Sequence, residues 1–264
     1  MKAKKLFVMS LAVICAFAIL LSFFFIFSIK DVNATYTVTE GCSVDEIEKT
    51  LDSYQKKNLL FLDVEDVKSD LAKYPYFEVV SIEKDFPNVL NVVLKERIEV
   101  FTIMYNGNVY VLDKTGFVVN SLSEQSFNEL YQDRQLIDIT FKGLAIETIK
   151  VGEVVKTDDQ ALFEATLNMS ATAQYSDIIS SVEISKMVEG ENGEQIISRE
   201  LNFVSFQTNT GVVIRIVKGQ DRGIQKISNA LDRYYLGSDY DKARGVIESS
   251  FKDSGESYVV WEGI

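Results

Sequence analysis

Hydrophobic and polar positions follow three different rhythms along this chain. The first is unbroken: from Leu6 to Ile29, "LFVMSLAVICAFAILLSFFFIFSI", 24 residues pass without a charge. As a helix such a run spans about 36 Å at about 1.5 Å per residue, enough to cross a hydrocarbon core of about 30 Å with some tilt. Lys2, Lys4 and Lys5 precede it while Lys30 is offset by Asp31, so the positive-inside bias puts the five-residue tail, 1–5, in the cytoplasm. "VNA" at 32–34 resembles a signal-peptide cleavage site. Signal cores, however, run about 7 to 15 residues, so a retained anchor over 6–29 is expected. Ile14 before Cys15 lacks the small residue that lipidation needs.

The second rhythm has the period of a helix. In "SVDEIEKTLDSYQKK", Val44, Ile47, Leu51 and Tyr54 fall on one face, and Ser43 with Glu46 forms a capping-box pattern, predicting a helix from 43 to 57. After "NLLFLD", Val64, Val67, Leu71 and Tyr74 repeat the spacing with Asp63 as the cap, and Pro75 is read as the terminator.

The third rhythm has period two. "FEVVSIEKDF" sets Val80 and Ile82 against Ser81 and Glu83, Pro87 and Asn88 supply a turn, and "VLNVVLKER" puts Leu90, Val92 and Leu94 on one face. With the β-like "ATYTVTEG" before the helices, the order is strand, helix, helix, strand, strand. From Glu99 onward hairpin signals recur, "YNGN" at 105–108, "DKTG" at 113–116 and "EGENG" at 189–193, with a further hairpin in "SFQTNTGVVIRIV"; a meander is the simplest arrangement. One helix is expected near 158–173 with Asp158 as cap. Another is expected near 222–235 with Ile224, Ile227 and Leu231 inward, followed by strands in "ARGVIESSF" and "ESYVVWEGI". No linker rich in Pro, Gly or Ser separates the regions that meet near 97–100, which predicts a tight joint.

Charge narrows the function classes. The chain has 27 basic and 39 acidic residues, and setting aside the three lysines of the tail leaves about −15 beyond the anchor. Nucleic acid is a poor partner for that surface. Histidine is absent, which removes Ser-His-Asp and Cys-His nucleophile systems and His-based metal sites. Cys42 alone lies outside the anchor, so neither an intrachain disulfide there nor a thiolate zinc site can form, and no phosphate-cradling glycine motif occurs. No cofactor, metal or small-molecule substrate is expected. Asp63, Glu65 and Asp66 could in principle serve a carboxylate hydrolase, but acids at a helix start are accounted for by capping.

The strings "NLLFLD", "YPYF", "DFPNVL" and "KER", with "VYVLDKTG" and "NTGVVIRIVKGQDRGIQKISNAL", resemble the FtsQ/DivIB family of bacterial cell-division proteins over nearly the whole chain. Ile98, Glu99 and Val100 follow Arg97 where the family often has a proline, and between 121 and 205 the likeness is one of order. The resemblance implies an α+β protein: a transmembrane helix, a POTRA domain (β-α-α-β-β) over 30–98, then a mostly antiparallel β domain over 99–264 with two flanking helices. It makes Asn58, Pro75, Phe77 and Pro87 framework residues of the POTRA domain. It implies no enzyme but a divisome scaffold at the septal membrane, with FtsL and DivIC/FtsB type proteins as partners, held by strand addition at the last strand. Phe251, Tyr258, Val259, Val260 and Trp261 are then the candidate partner surface. The residues alone leave two possibilities for "YVVW", a strand buried on both faces or an edge that a partner completes. A POTRA module assisting polypeptide export is the alternative function, against which a single copy without a barrel weighs.

Overall fold

A computed structural model describes residues 2–39, 42–174, 178–189, 192, 194–198, 200–237, 245–252 and 254–262. Two compact units are resolved, residues 1–97 and 98–264.

Unit 1 begins with α1 (Lys2–Ile26), which runs without a linker into β1 (Asp31–Thr37). Then come α2 (Asp45–Asp52), α3 (Val64–Leu71), β2 (Phe77–Asp85) and β3 (Val89–Glu96). The sheet order is β1-β3-β2, with β1 parallel and β2 antiparallel to the central β3. Parallel neighbours cannot be joined by a tight turn, so α2 and α3 form the crossover and cover one face. Beneath them Leu90, Val92 and Leu94 of β3 are wholly buried with Ile47, Leu51, Tyr54, Val67 and Leu71. Each such side chain contributes about 1.5–3 kcal/mol by leaving water. Tyr54 Oη donates to Asp70 Oδ2 at 2.6 Å, so the hydroxyl of this almost fully buried tyrosine is satisfied. Burial, followed by that hydrogen bond, pushes the phenol well above its ordinary range.

Four expectations for this unit need correction. Ser43 is not a cap: α2 starts after Val44, whose side chain cannot accept, and the helix is shorter than 43–57. Lys56 takes a left-handed φ of 68° and its N–H bonds to Ile29 O, which turns the chain away from the helix axis. Pro75 does not stop α3 directly. The helical ladder ends at Ala72, and turns closed by Tyr74 N–H on Leu71 O and Phe77 N–H on Tyr74 O intervene. Val80 does not share a face with Ile82, because a bulge between Val79 and Ser81 leaves it exposed.

Unit 2 contains β4 (Glu99–Tyr105), β5 (Asn108–Asp113), β6 (Val118–Ser123), α4 (Glu124–Leu130), β7 (Ile137–Lys142), β8 (Ile146–Thr148) and β9 (Lys156–Thr157). These are followed by α5 (Gln160–Gln174), β10 (Ile179–Ser185), β11 (Met187–Glu189), β12 (Gln195–Ile197), β13 (Phe203–Thr208), β14 (Val213–Val217), α6 (Gly223–Leu236), β15 (Val246–Phe251) and β16 (Ser257–Glu262). Nine strands form one sheet in the order β16-β15-β14-β13-β10-β7-β4-β5-β6.

The turns have the chemistry their residues dictate. Asn106 and Gly107 both take positive φ, 50° and 80°, in the two-residue connection from β4 to β5. In "DKTG", Asp113 Oδ1 accepts from Thr115 N, Thr115 Oγ1 and Phe117 N at 2.8, 2.6 and 3.1 Å, holding the β5–β6 turn.

A simple meander is not what forms. β4 pairs with β7, β7 with β10 and β14 with β15 in parallel, so the sheet is mostly but not wholly antiparallel. Each parallel join needs a crossover, and α4, α5 and α6 lie in the three crossovers. The helices are therefore built into the topology, and α4 adds a third, short one to the two expected. Asp158 is not the cap of α5: its Oδ1 accepts from Ala145 N, while Asp159 Oδ1 accepts from Leu162 N. The turn within "EGENG" falls partly outside the described residues, but Met187–Glu189 pairs antiparallel with Gln195–Ile197.

The caps provide a stability test. Asp63→Ala, which removes the acceptor for Glu65 N–H, is expected to cost about 1 kcal/mol, whereas Ser43→Ala changes stability by less than about 0.5 kcal/mol. Urea unfolding of the detergent-solubilised chain distinguishes the two. Equal losses would contradict this assignment.

Candidate functional site

The β14–β15–β16 end of the large sheet brings the C-terminal candidates together. β15 and β16 form a hairpin closed by Lys252 N–H on Glu256 O, and their register sets Ile247 opposite Trp261, Glu248 opposite Val260, Ser249 opposite Val259, Ser250 opposite Tyr258 and Phe251 opposite Ser257. Side chains alternate along a strand, so Val259 and Trp261 share the face that packs on the core, while Tyr258 and Val260 share the other. Val260 is 42% exposed. β16 pairs with β15 alone among the described strands, so its outer main-chain groups lie along the sheet edge. Tyr258 beside Val260 is half-buried, so among the described residues this second face is only partly covered.

α6 braces this edge. Its N-terminal Gly223 lies so near α5 that a Cβ there would come within 2.7 Å of Met169 Sδ, which lets the helix seat closely. Its buried face comprises Gly223, Lys226, Ile227, Ala230, Leu231 and Tyr234. Ile224, expected to point inward, is 56% exposed, because the i, i+3, i+4 series runs from Gly223 instead. At the far end Arg233 lies over the Trp261 ring, 5.2 Å from its centroid, and Gly237 leaves room for that ring. At the near end the Arg222 guanidinium stacks 3.6 Å above Phe251. Phe251 is thus half-buried under a cation at the end of β15, one strand in from the edge.

Lys226 was not foreseen. Its side chain is almost fully buried, donating to Val217 O at 2.7 Å and Lys218 O at 3.1 Å, with Asp221 Oδ2 at 3.7 Å. It ties the end of β14 to α6 and so fixes where the parallel neighbour β15 enters. Burial lowers its pKa, opposed by Asp221. Asp221 is held low first by its hydrogen bond from Arg222 and also by Lys226. Arg222, Lys226 and Arg233 read in sequence as ordinary polar helix positions. Ala230 and Tyr234, three and seven residues beyond Ile227, were the signal that could have located the true inner face.

The framework candidates lie in unit 1, away from this edge in the chain. Asn58 Oδ1 accepts from Leu60 N and its Nδ2 donates to Phe24 O; Phe77 belongs to the core; Pro75 is half-buried and Pro87 exposed. Asp63 serves as the α3 cap described above. Among the described residues no group of three His, Cys, Asp or Glu side chains is placed to hold a metal ion.

The fold defines a class: a POTRA-bearing chain preceded by a helix long and apolar enough to cross a membrane. Residues 37–97 match the family model described as "POTRA domain, FtsQ-type". The cell division protein DivIB of Clostridium acetobutylicum is 25% identical over 133 residues, 49% of this chain and 50% of that one. The cell division protein FtsQ of Rhizobium meliloti is 30% identical over 107 residues, 39% and 33% respectively. DivIB of Clostridium botulinum is 25% identical over 103 residues, 39% and 37%. These matches span half or less of the curated relatives' own length. Residues 37–97 are thus an FtsQ-type POTRA domain, and over half or less of its length the chain is similar to DivIB and FtsQ cell division proteins.

Burial of Lys226 has a measurable consequence. Its ordinary pKa of 10.5 is lowered in the fold, so just below that value the unfolded chain binds more protons and stability gains with rising pH. The unfolding free energy of wild type relative to Lys226→Met is expected to rise with pH over the range just below 10.5. A flat difference across that range would contradict the buried, desolvated ammonium.

Proposed function

We propose that this chain is a non-enzymatic scaffold of the cell-division complex that binds other single-pass division proteins of the FtsL and DivIC/FtsB type along β16. The observation that carries the reading is the position of β16: it is the outermost strand of a nine-stranded sheet, and its side chains are apolar on both faces. An added strand would gain affinity from main-chain hydrogen bonds, and Tyr258 and Val260 would supply selectivity on the open face. Trp261 and Val259 act from beneath, holding the strand flat against α6 and the core. Phe251 contributes through the Arg222 stack at the hairpin end.

In this reading the expected anchor 6–29 crosses the membrane through its helical part, Leu6–Ile26, with Ile29 already in the core beyond it; 1–5 lie in the cytoplasm, and the POTRA domain (30–98) and β domain (99–264) lie outside, at the septum. The lysines at 2, 4 and 5 and the names of the relatives support it.

Val260→Lys, which changes the exposed face without touching the core, is expected to weaken binding of a DivIC/FtsB type ectodomain at least about tenfold, equivalent to about 1.4 kcal/mol. Trp261→Ala and Phe251→Ala weaken it as well, and Trp261→Ala also lowers the unfolding temperature. Unchanged affinity in all three would sink the proposed surface. A fluorescent fusion is expected to form a midcell band; a uniform membrane signal, with crosslinking to nascent exported chains, would favour the export reading instead.

A further inference from the structure

The end of unit 1 that meets α1 carries an exposed apolar tip for which the family reading gives no role. Leu60 is 46% exposed, Phe61 74% and Phe86 52%, on two loops separated by 25 residues of chain. The fold brings both loops to the end of α1. Leu59 N–H donates to Phe27 O at 2.7 Å, Asn58 Nδ2 donates to Phe24 O at 3.3 Å, and Lys30 N–H donates to Asn88 O at 2.9 Å. The Phe86 ring meets Phe27 edge-on at 5.9 Å, and Phe27 stacks on Phe23 at 5.8 Å. Ile29 is buried in the unit 1 core, so the anchor enters the domain rigidly.

Helix length locates this junction relative to a bilayer. Leu6–Ile26, the unbroken uncharged run of 21 residues in α1, covers about 31 Å, close to a hydrocarbon core of about 30 Å. Lys2, Lys4 and Lys5 mark one boundary, so the other falls at Ile26–Phe27. A loop bonded to the carbonyl of residue 24 therefore lies at or just inside that second boundary. Its exposed Leu and Phe side chains then face acyl chains and headgroups instead of bulk water.

We propose that the tip formed by Leu60, Phe61 and Phe86 is seated in the lipid interface beside α1, so that the bilayer itself fixes the POTRA domain at a set height. The inference rests on α1 spanning the membrane. Lys30, Lys56, Lys57 and Lys84, the last donating to Leu62 O, flank the tip, and Asp31, Asp63 and Asp85 adjoin it in sequence. Near-balanced charge makes the contact apolar in origin, independent of anionic lipid and insensitive to salt.

The test is a set of full-length single-tryptophan chains in a Trp261→Phe background, reconstituted into phosphatidylcholine vesicles carrying brominated acyl chains. Phe17→Trp reports the anchor, Phe61→Trp and Phe86→Trp the tip. Tyr76→Trp lies about 30 Å of strand away from the tip at about 3.3 Å per residue and serves as the aqueous control. The expected result is deep quenching at 17, shallow quenching with a blue shift at 61 and 86 that survives high salt, and none at 76. No quenching at 17 removes the membrane span and the proposal together. Quenching at 17 with 61 and 86 as unquenched as 76 overturns the proposal alone, including where a partner's membrane helix covers the tip instead. Equal quenching at 61, 86 and 76 means a domain lying flat on the surface, which also overturns it.

Discussion

The parallel pairing of β14 with β15 decides where the last strand ends up. Parallel neighbours need a crossover, and here α6 provides it, passing over the sheet between the two strands. β15 enters beyond β14, and its hairpin partner β16 has no place left except the outside. Lys226, buried against the Val217 and Lys218 carbonyls, fastens the start of that crossover, while Arg233 over Trp261 fastens its end against the strand it delivers. The edge is a consequence of topology and does not depend on β16 being a poor core strand.

Unit 1 obeys the same constraint on a smaller scale. β1 pairs in parallel with β3, which is why two helices must intervene and why both cover the same face. The central strand then buries Leu90, Val92 and Leu94 completely, and the anchor-side loops are held at the opposite end of the sheet from Tyr76. The core and the membrane-proximal end of this unit therefore rest on one arrangement of three strands.

Much of this was legible in the sequence, and the failures share a physical cause. Period 3.6 and period 2 are local signals, so the existence of α2, α3, β2, β3 and α6 could be read directly, as could the turns at Asn106–Gly107 and Asp113–Gly116. Strand neighbours are not local. Nothing in "FTIMY" says that it pairs with "IDITF" in parallel, so a meander was the economical expectation. Caps failed by one residue where two acceptors adjoin, as with Asp158 and Asp159, because only the hydrogen-bond geometry decides between them. Val80 was misplaced because a bulge inverts the alternation without changing a residue, and Ile224 because its apolar side chain masked a face that begins at Gly223. At the site, "YVVW" was readable as apolar on both sides, but only the sheet order distinguishes an edge from a buried strand. The cations that brace it have no distinguishing sequence signal.

Partner binding by strand addition requires that β16 gain a strand. Amide hydrogen exchange of the intact protein, followed with and without a DivIC/FtsB type ectodomain, reads this at the backbone. The prediction is slowed exchange on binding concentrated at 257–262, with the opposite sheet edge at 118–123 unchanged. Unaltered exchange across 257–262 in a saturated complex would contradict it.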